Sequence, residues 1–170
     1  MTPRDLRYLL LECCLGSAIV NAVINGGIGW ASTRSLVSLP LWRIPGVVAD
    51  IVGTAFGVTF GTCLGMAFQI RRDLKSGKIA PVRVGPGVAL LLARFPCGTL
   101  RRSVGLGALS VPLFALPMVF ALVVLGVGAI ERTHFVVLKA CFASLEAALV
   151  TPFIALAALG DVERAVATSG

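Results

Sequence analysis

The sequence predicts an all-α integral membrane protein, a four-transmembrane-helix bundle with both termini cytoplasmic. Three observations carry this. Of the 170 residues, 57% are hydrophobic and 14% charged, well outside the range of soluble globular chains. Four stretches are long enough to cross a hydrocarbon core roughly 30 Å thick, which takes about 20 apolar residues. Finally, the basic residues are unevenly distributed between the connections.

The first span is expected over about residues 8–30. Arg4 and Arg7 precede it and resemble the start of a signal peptide, but its apolar run exceeds the roughly 7 to 15 residues of a signal core, so it reads as a retained span. The connection that follows, ASTRSLVSLPLWRIPG, contains Trp42 and two prolines, with Trp30 just before it. Tryptophan favours the headgroup region, so this connection is expected along the membrane surface.

The second span, about 46–70, contains the stretch GTAFGVTFGTCLG. Its glycines Gly53, Gly57, Gly61 and Gly65 recur every fourth residue and form a smooth groove down one helix face. In lipid, where no hydrophobic force brings helices together, small residues allow close approach. A glycine-zipper contact with span one or four of the same chain is therefore expected, with span two of another copy as the alternative. Leucine at Gly57 or Gly61 should then disrupt the fold.

A basic cytoplasmic loop is expected over 71–105. It opens RRDLKSGKIAPVRVGPG, broken by proline and glycine, and continues VALLLARFPCGTLRR, whose apolar run is too short to span and suits a surface-lying or re-entrant piece. Its cations would attract anionic headgroups. The third span, about 106–130, has one serine as its only polar side chain and is apolar all round, as a lipid-exposed helix is. The fourth runs from about 134 to 160. Pro112, Pro117 and Pro152 fall inside these two spans and should bend them.

Eleven Lys and Arg residues lie at the termini or between spans two and three, against Arg34, Arg43 and Arg132 in the other two connections, with Lys139 inside a span. The positive-inside rule then places both termini and the central loop in the cytoplasm of a bacterial inner membrane. The net charge of +7 is accounted for by this asymmetry, and no nucleic-acid partner is expected.

Ionisable groups at mid-membrane cost about 2.5 to 3.5 kcal/mol each on insertion scales, so each asks for a reason. Counted from the span ends, Asn25, Asp50 and Lys139 share one outer layer, where Asp50 and Lys139 can pair if spans two and four touch. Glu146 lies near the midplane, at the level of Asn21, Thr54 and Thr59, with no cation predicted beside it. A carboxyl group so placed is either protonated or binds something positive. Glu12 sits near the cytoplasmic end of span one, on the opposite face from Asn21, and can reach the interface. These residues, Glu146, Lys139, Asp50, Asn21, Asn25, Thr54 and Glu12, form the candidate intramembrane polar site.

Other chemistry finds little support. The five cysteines include no C-x-x-C and fall in no outer connection, so they read as small buried hydrophobes. His134, beside Glu131, lacks companion ligands for a metal and reads as an interfacial residue. No G-x-S-x-G, H-E-x-x-H or P-loop is present, so no catalytic residue, cofactor or enzymatic activity is expected. The short likeness of LECCLGS to LEAALVT falls at different depths and does not make a repeat. Residues 1–170 read as a single membrane domain. Two functions compete: a proton- or cation-linked transporter with a polar intramembrane core, and a non-transporting assembly or accessory subunit that docks a membrane protein partner or anionic lipid through its basic loop. A homo-oligomer fits either.

Overall fold

The computed structural model describes residues 8–77 and 98–169, with side chains described over 11–77 and 98–158. It contains four helices long and apolar enough to cross a membrane. Helix α1 begins as a π-helical stretch, Tyr8–Leu15, and continues as α-helix Gly16–Ser32. Helix α2 is Val47–Lys75; helix α3 runs Thr99–Val124; helix α4 is Arg132–Ser169. Two short strands, β1 (Ser38–Pro40) and β2 (Ala129–Glu131), complete the described chain.

The boundaries depart from the expected spans for local reasons. Helix α2 outlasts its apolar run by a turn, because Arg71, Arg72, Leu74 and Lys75 are sound helix formers, with Asp73 among them turned inward and buried. Gly77 stops it at a φ of +69°, where its N–H bonds the Leu74 carbonyl. Helix α3 ends at Val124 rather than near 130. Gly126 adopts a φ of +69° and donates to Val123, while Val127 donates back to Leu122, the paired bonds of a Schellman motif. Six residues of the expected third span therefore leave the helix, Leu125 to Gly128 as the approach to β2 and Ala129 and Ile130 as part of it. The start of α3 moves the other way, to Thr99, so that 99–105 is helix rather than loop. The apolar run inside the expected basic loop, Val88 to Ala93, lies outside the described residues.

The strands modify the all-α expectation. They pair antiparallel, Leu39 opposite Ile130, and tie the α1–α2 connection to the α3–α4 connection at one end of the bundle. Leu39 and Leu41, both buried, turn inward from this ribbon onto Val47, Ile51, Phe135 and Phe142. The connection carrying Trp42 thus closes the bundle end, with Trp42 itself exposed.

Proline shapes α3. Pro112 has no N–H for the Ala108 carbonyl, and Pro117 none for Leu113. Between them Val111–Ala115 widens into a π-helical turn in which the Leu116 N–H reaches Val111. Pro152 likewise leaves the Ala148 carbonyl of α4 without its usual donor.

Helix α4 is the centre of the packing. It lies against α1 on one side and α2 on another, and α3 packs on α2, giving the neighbour order α1, α4, α2, α3. Two apolar clusters fill the interior. One, at the ribbon end, gathers Val47, Ile51, Ala55, Ala115, Phe135 and Phe142; the other, at the termini end, gathers Cys13, Cys63, Met66, Ile70, Ile154 and Ala155. Among the described residues the small apolar contact of Val58, Ala143 and Ala147 bridges the level between them.

Candidate functional site: an open polar groove and a buried carboxyl group

Although α1 and α2 both rest on α4, they barely touch each other. Between them runs a groove of about 810 Å³. Its α1 wall carries Glu12, Ser17, Asn21 and Asn25; its α2 wall carries Asp50, Thr54, Thr62 and Gln69; Lys139 of α4 lines it as well. From Asp50 to Gln69 the α2 wall rises about 28 Å at 1.5 Å per residue, close to the thickness of a hydrocarbon core. The side chains are linked in short relays. Lys139 Nζ donates to Asp50 Oδ1 at 2.5 Å, and Thr54 Oγ1 lies 3.4 Å from Asp50 Oδ2. Asn25 Nδ2 donates to the Asn21 carbonyl at 3.0 Å, and Asn21 Nδ2 to the Ser17 carbonyl at 3.0 Å. Asn21 Nδ2 reaches across the groove to Thr62 Oγ1 at 3.4 Å.

Six of the seven candidate polar residues therefore line one groove. The Asp50–Lys139 pair is formed, with Lys139 only 7% exposed. Burial of an ion pair costs desolvation, which good geometry offsets only if both partners stay in place. The Asn25 amide donates within α1 rather than to this pair. Glu12, expected away from the Asn21 face, lines the termini end of the groove, because the π-helical start of α1 rotates its register relative to a regular helix.

The four glycines of α2 are placed differently from expectation. Gly53, Gly57, Gly61 and Gly65 all line the groove, all are exposed, and a Cβ on any of them would meet nothing within 4 Å. No helix among the described residues packs on them. The close approaches belong to other glycines. A Cβ at Gly26 would lie 3.3 Å from the Ala140 Cβ, and one at Gly29 would lie 3.1 Å from the Lys139 side chain, where α1 crosses α4. A Cβ at Gly107 would meet the Phe56 ring at 3.0 Å and the Phe56 carbonyl at 3.2 Å, where α3 crosses α2. A stripe of small residues allows approach without requiring it, and the NGGIG run of α1 was the overlooked signal.

Glu146 does not line the groove. It is 1% exposed and lies between the two apolar clusters. Thr59 Oγ1 of α2 donates to its Oε1 at 2.7 Å, while Oε2 has no hydrogen-bond partner within bonding distance among the described residues. Ser110 of α3, which sequence reading did not single out, faces the same carboxyl group. Its hydroxyl lies 2.7 Å from both the Ala55 and Gly107 carbonyls, yet has one proton to give. The predicted level shared with Asn21 and Thr54 thus divides: Thr59 points to Glu146, while Asn21 and Thr54 turn to the groove.

The remaining features are peripheral. His134 Nδ1 lies 3.4 Å from Glu131 Oε2, both exposed, and the described residues contain no cluster of three metal-ligating side chains. Arg132 stacks over Trp30 with 5.7 Å to the ring centroid, at the ribbon end. Cys13, Cys14 and Cys63 are buried, whereas Cys141 is exposed on α4; Cys97 lies outside the described residues. Comparison of the chain with protein-family models, curated proteins and solved structures returns no match. What the fold defines is a class: a bundle of four helices each able to cross a membrane.

Proposed function

We propose that the protein is a small inner-membrane transporter or permease whose path for a polar solute or cation is the groove between α1 and α2. The single observation behind this is the polar ladder. Polar groups recur on both groove walls over about the depth of a hydrocarbon core, where each would otherwise be costly. Because α1 and α2 barely touch across these groups, the series adds little to contact between the two helices. In this reading both termini are cytoplasmic, because the sequence carries eleven of its fifteen Lys and Arg residues at the termini or between spans two and three. The Asn21 to Thr62 contact is the constriction of the path, and the Asp50–Lys139 pair is its charged rung near the outer mouth.

Glu146 has a different place in this account. It lies off the path, in the packed half of the bundle, so the proton- or cation-linked step is assigned to the groove. Purified protein in liposomes under a pH or sodium gradient provides the test. Wild type should dissipate a gradient, Asn21→Leu should suppress flux by filling the constriction, and Glu146→Gln should leave flux within about twofold. Flux that survives Asn21→Leu but is abolished by Glu146→Gln would move the path away from the groove.

The exposed glycine wall, open to the side, favours a second reading: an accessory subunit with no transport of its own that takes up a partner helix and docks it through the basic connection. Copurification of a membrane protein that is lost when residues 71–102 are replaced by a neutral linker, with no flux in liposomes, would establish that reading instead.

A further inference from the structure

Beside its glycine wall, α2 carries a second face that changes character along its length. At about 100° per residue, Phe60, Leu64, Phe68, Arg71, Arg72 and Lys75 fall within an arc of about 120°. Phe60 is half-buried, the other five are exposed, Phe68 at 72%, and none of the six lines the groove. The apolar members come first and the cations last. From Phe60 to Arg71 the helix rises about 16 Å at 1.5 Å per residue, half of a hydrocarbon core roughly 30 Å thick and so the depth of one leaflet. Asp73, the acidic residue of this turn, is turned inward at 3% exposure, with Arg72 Nε 3.7 Å from its Oδ1. Arg71 is held from the side, where its Nη2 donates to Thr99 Oγ1 at the start of α3 at 3.4 Å.

We propose that this face seats one anionic phospholipid of the leaflet at the C-terminal end of α2, its headgroup phosphate on Arg71, Arg72 and Lys75 and an acyl chain along Phe68, Leu64 and Phe60. The inference stands apart from the pathway reading, since it concerns a face of α2 outside the groove. Two properties of the face select this occupant together. A free anion would meet the three cations but leave the apolar strip uncovered, whereas a neutral lipid would cover the strip and leave the cations unanswered. A phosphate carried on an acyl chain matches both, in the order and at the depth in which the helix presents them. Long Lys and Arg stems lie along apolar surface while their heads reach outward, and a guanidinium can hold phosphate through two parallel hydrogen bonds. Membrane topology by itself asks for cations on one side of the bilayer, not on one helix face above an apolar strip. Cations in a last turn also answer the helix dipole, but they do so in any lipid.

The test offers the purified full chain, in neutral detergent at low salt, dioleoyl phosphatidylglycerol or dioleoyl phosphatidylcholine and measures bound lipid by native mass spectrometry. Wild type should retain phosphatidylglycerol at least about tenfold more tightly than phosphatidylcholine. The triple variant Arg71→Gln, Arg72→Gln, Lys75→Gln should lose that preference, whereas Arg34→Gln with Arg43→Gln, at exposed positions in the α1–α2 connection, should keep it. Lys75→Gln alone should weaken phosphatidylglycerol binding by about fivefold, which keeps the test decisive should the triple variant fail to fold. Phosphatidylglycerol with a photoreactive diazirine on its acyl chain should crosslink within residues 60–68, mapped by peptide mass spectrometry. Equal retention of the two lipids by wild type, a preference unchanged in Lys75→Gln, or crosslinks confined to other helices overturns the proposal. A melting temperature raised as much by inorganic phosphate as by phosphatidylglycerol would assign the cations to a free anion. One lowered by the triple variant equally in the two lipids would assign them to the helix dipole, and either result also overturns it.

Discussion

The two polar regions of this bundle lie at similar levels yet obey opposite rules. Around Glu146 three helices meet, the carboxyl group is 1% exposed, and it has the Thr59 hydroxyl as a donor with Ser110 facing it from α3. Between α1 and α2 the side chains are more numerous, tied in relays, and left open along one side. Burial with few partners is what packing specificity looks like, because any change of register strands the acid. A lining with many partners and one open side, its side chains mostly low in exposure, leaves a surface that something else can contact. Polarity inside a span is thus not one signal but two, separated by whether the neighbouring helices close over it.

Substitutions can break or sharpen that contrast. The largest effect is expected at Lys139→Met, which leaves the Asp50 carboxylate in the groove without its ammonium; loss of one partner of a buried pair costs about 3 to 5 kcal/mol, toward the lower end here because Asp50 retains 25% exposure. Adding Asp50→Leu should recover part of that loss in a double-mutant cycle of unfolding in mixed micelles. Next comes Gly107→Leu, which pushes a side chain into the Phe56 ring and carbonyl; overpacking of this kind costs about 1 to 3 kcal/mol, read as a lowered melting temperature. Thr59→Val removes the one hydroxyl that serves Glu146 Oε1 and should destabilise by about 1 to 2 kcal/mol without reducing flux. Smallest is Gly57→Leu, with a stability change of no more than about 0.5 kcal/mol, as expected for a surface site away from packing. Equal damage from Gly57→Leu and Gly107→Leu would erase the distinction between the open wall and the packed one.

Much of this was legible in the chain. Apolar length located four helices, and residue counting from their ends placed Asp50 level with Lys139 and Thr59 level with Glu146, because a helix converts sequence distance into depth at a fixed rise. What depth cannot supply is azimuth and neighbour order. Nothing in the glycine stripe of α2 tells whether a helix covers it, and the partner of α1 proved to be α4, through Gly26 and Gly29. The ribbon escaped notice because its strands are three residues each and depend on pairing between connections far apart in sequence. Gly126, by contrast, sat in plain view: a glycine after an apolar run is a stop signal, and reading the hydrophobic stretch to its end overlooked it.

The central claim is that the groove, and not the Glu146 site, is open to a polar phase across the membrane. Cysteine placed at Gly53, Gly61 or Ser17, and separately at Thr59, tests it most directly when oriented proteoliposomes are treated with a small membrane-impermeant thiol reagent. Peptide-resolved mass spectrometry then separates each new thiol from the native ones. The account predicts modification at all three groove positions and none at Thr59. Unmodified groove positions in folded protein, or labelling at Thr59 equal to theirs, would contradict it.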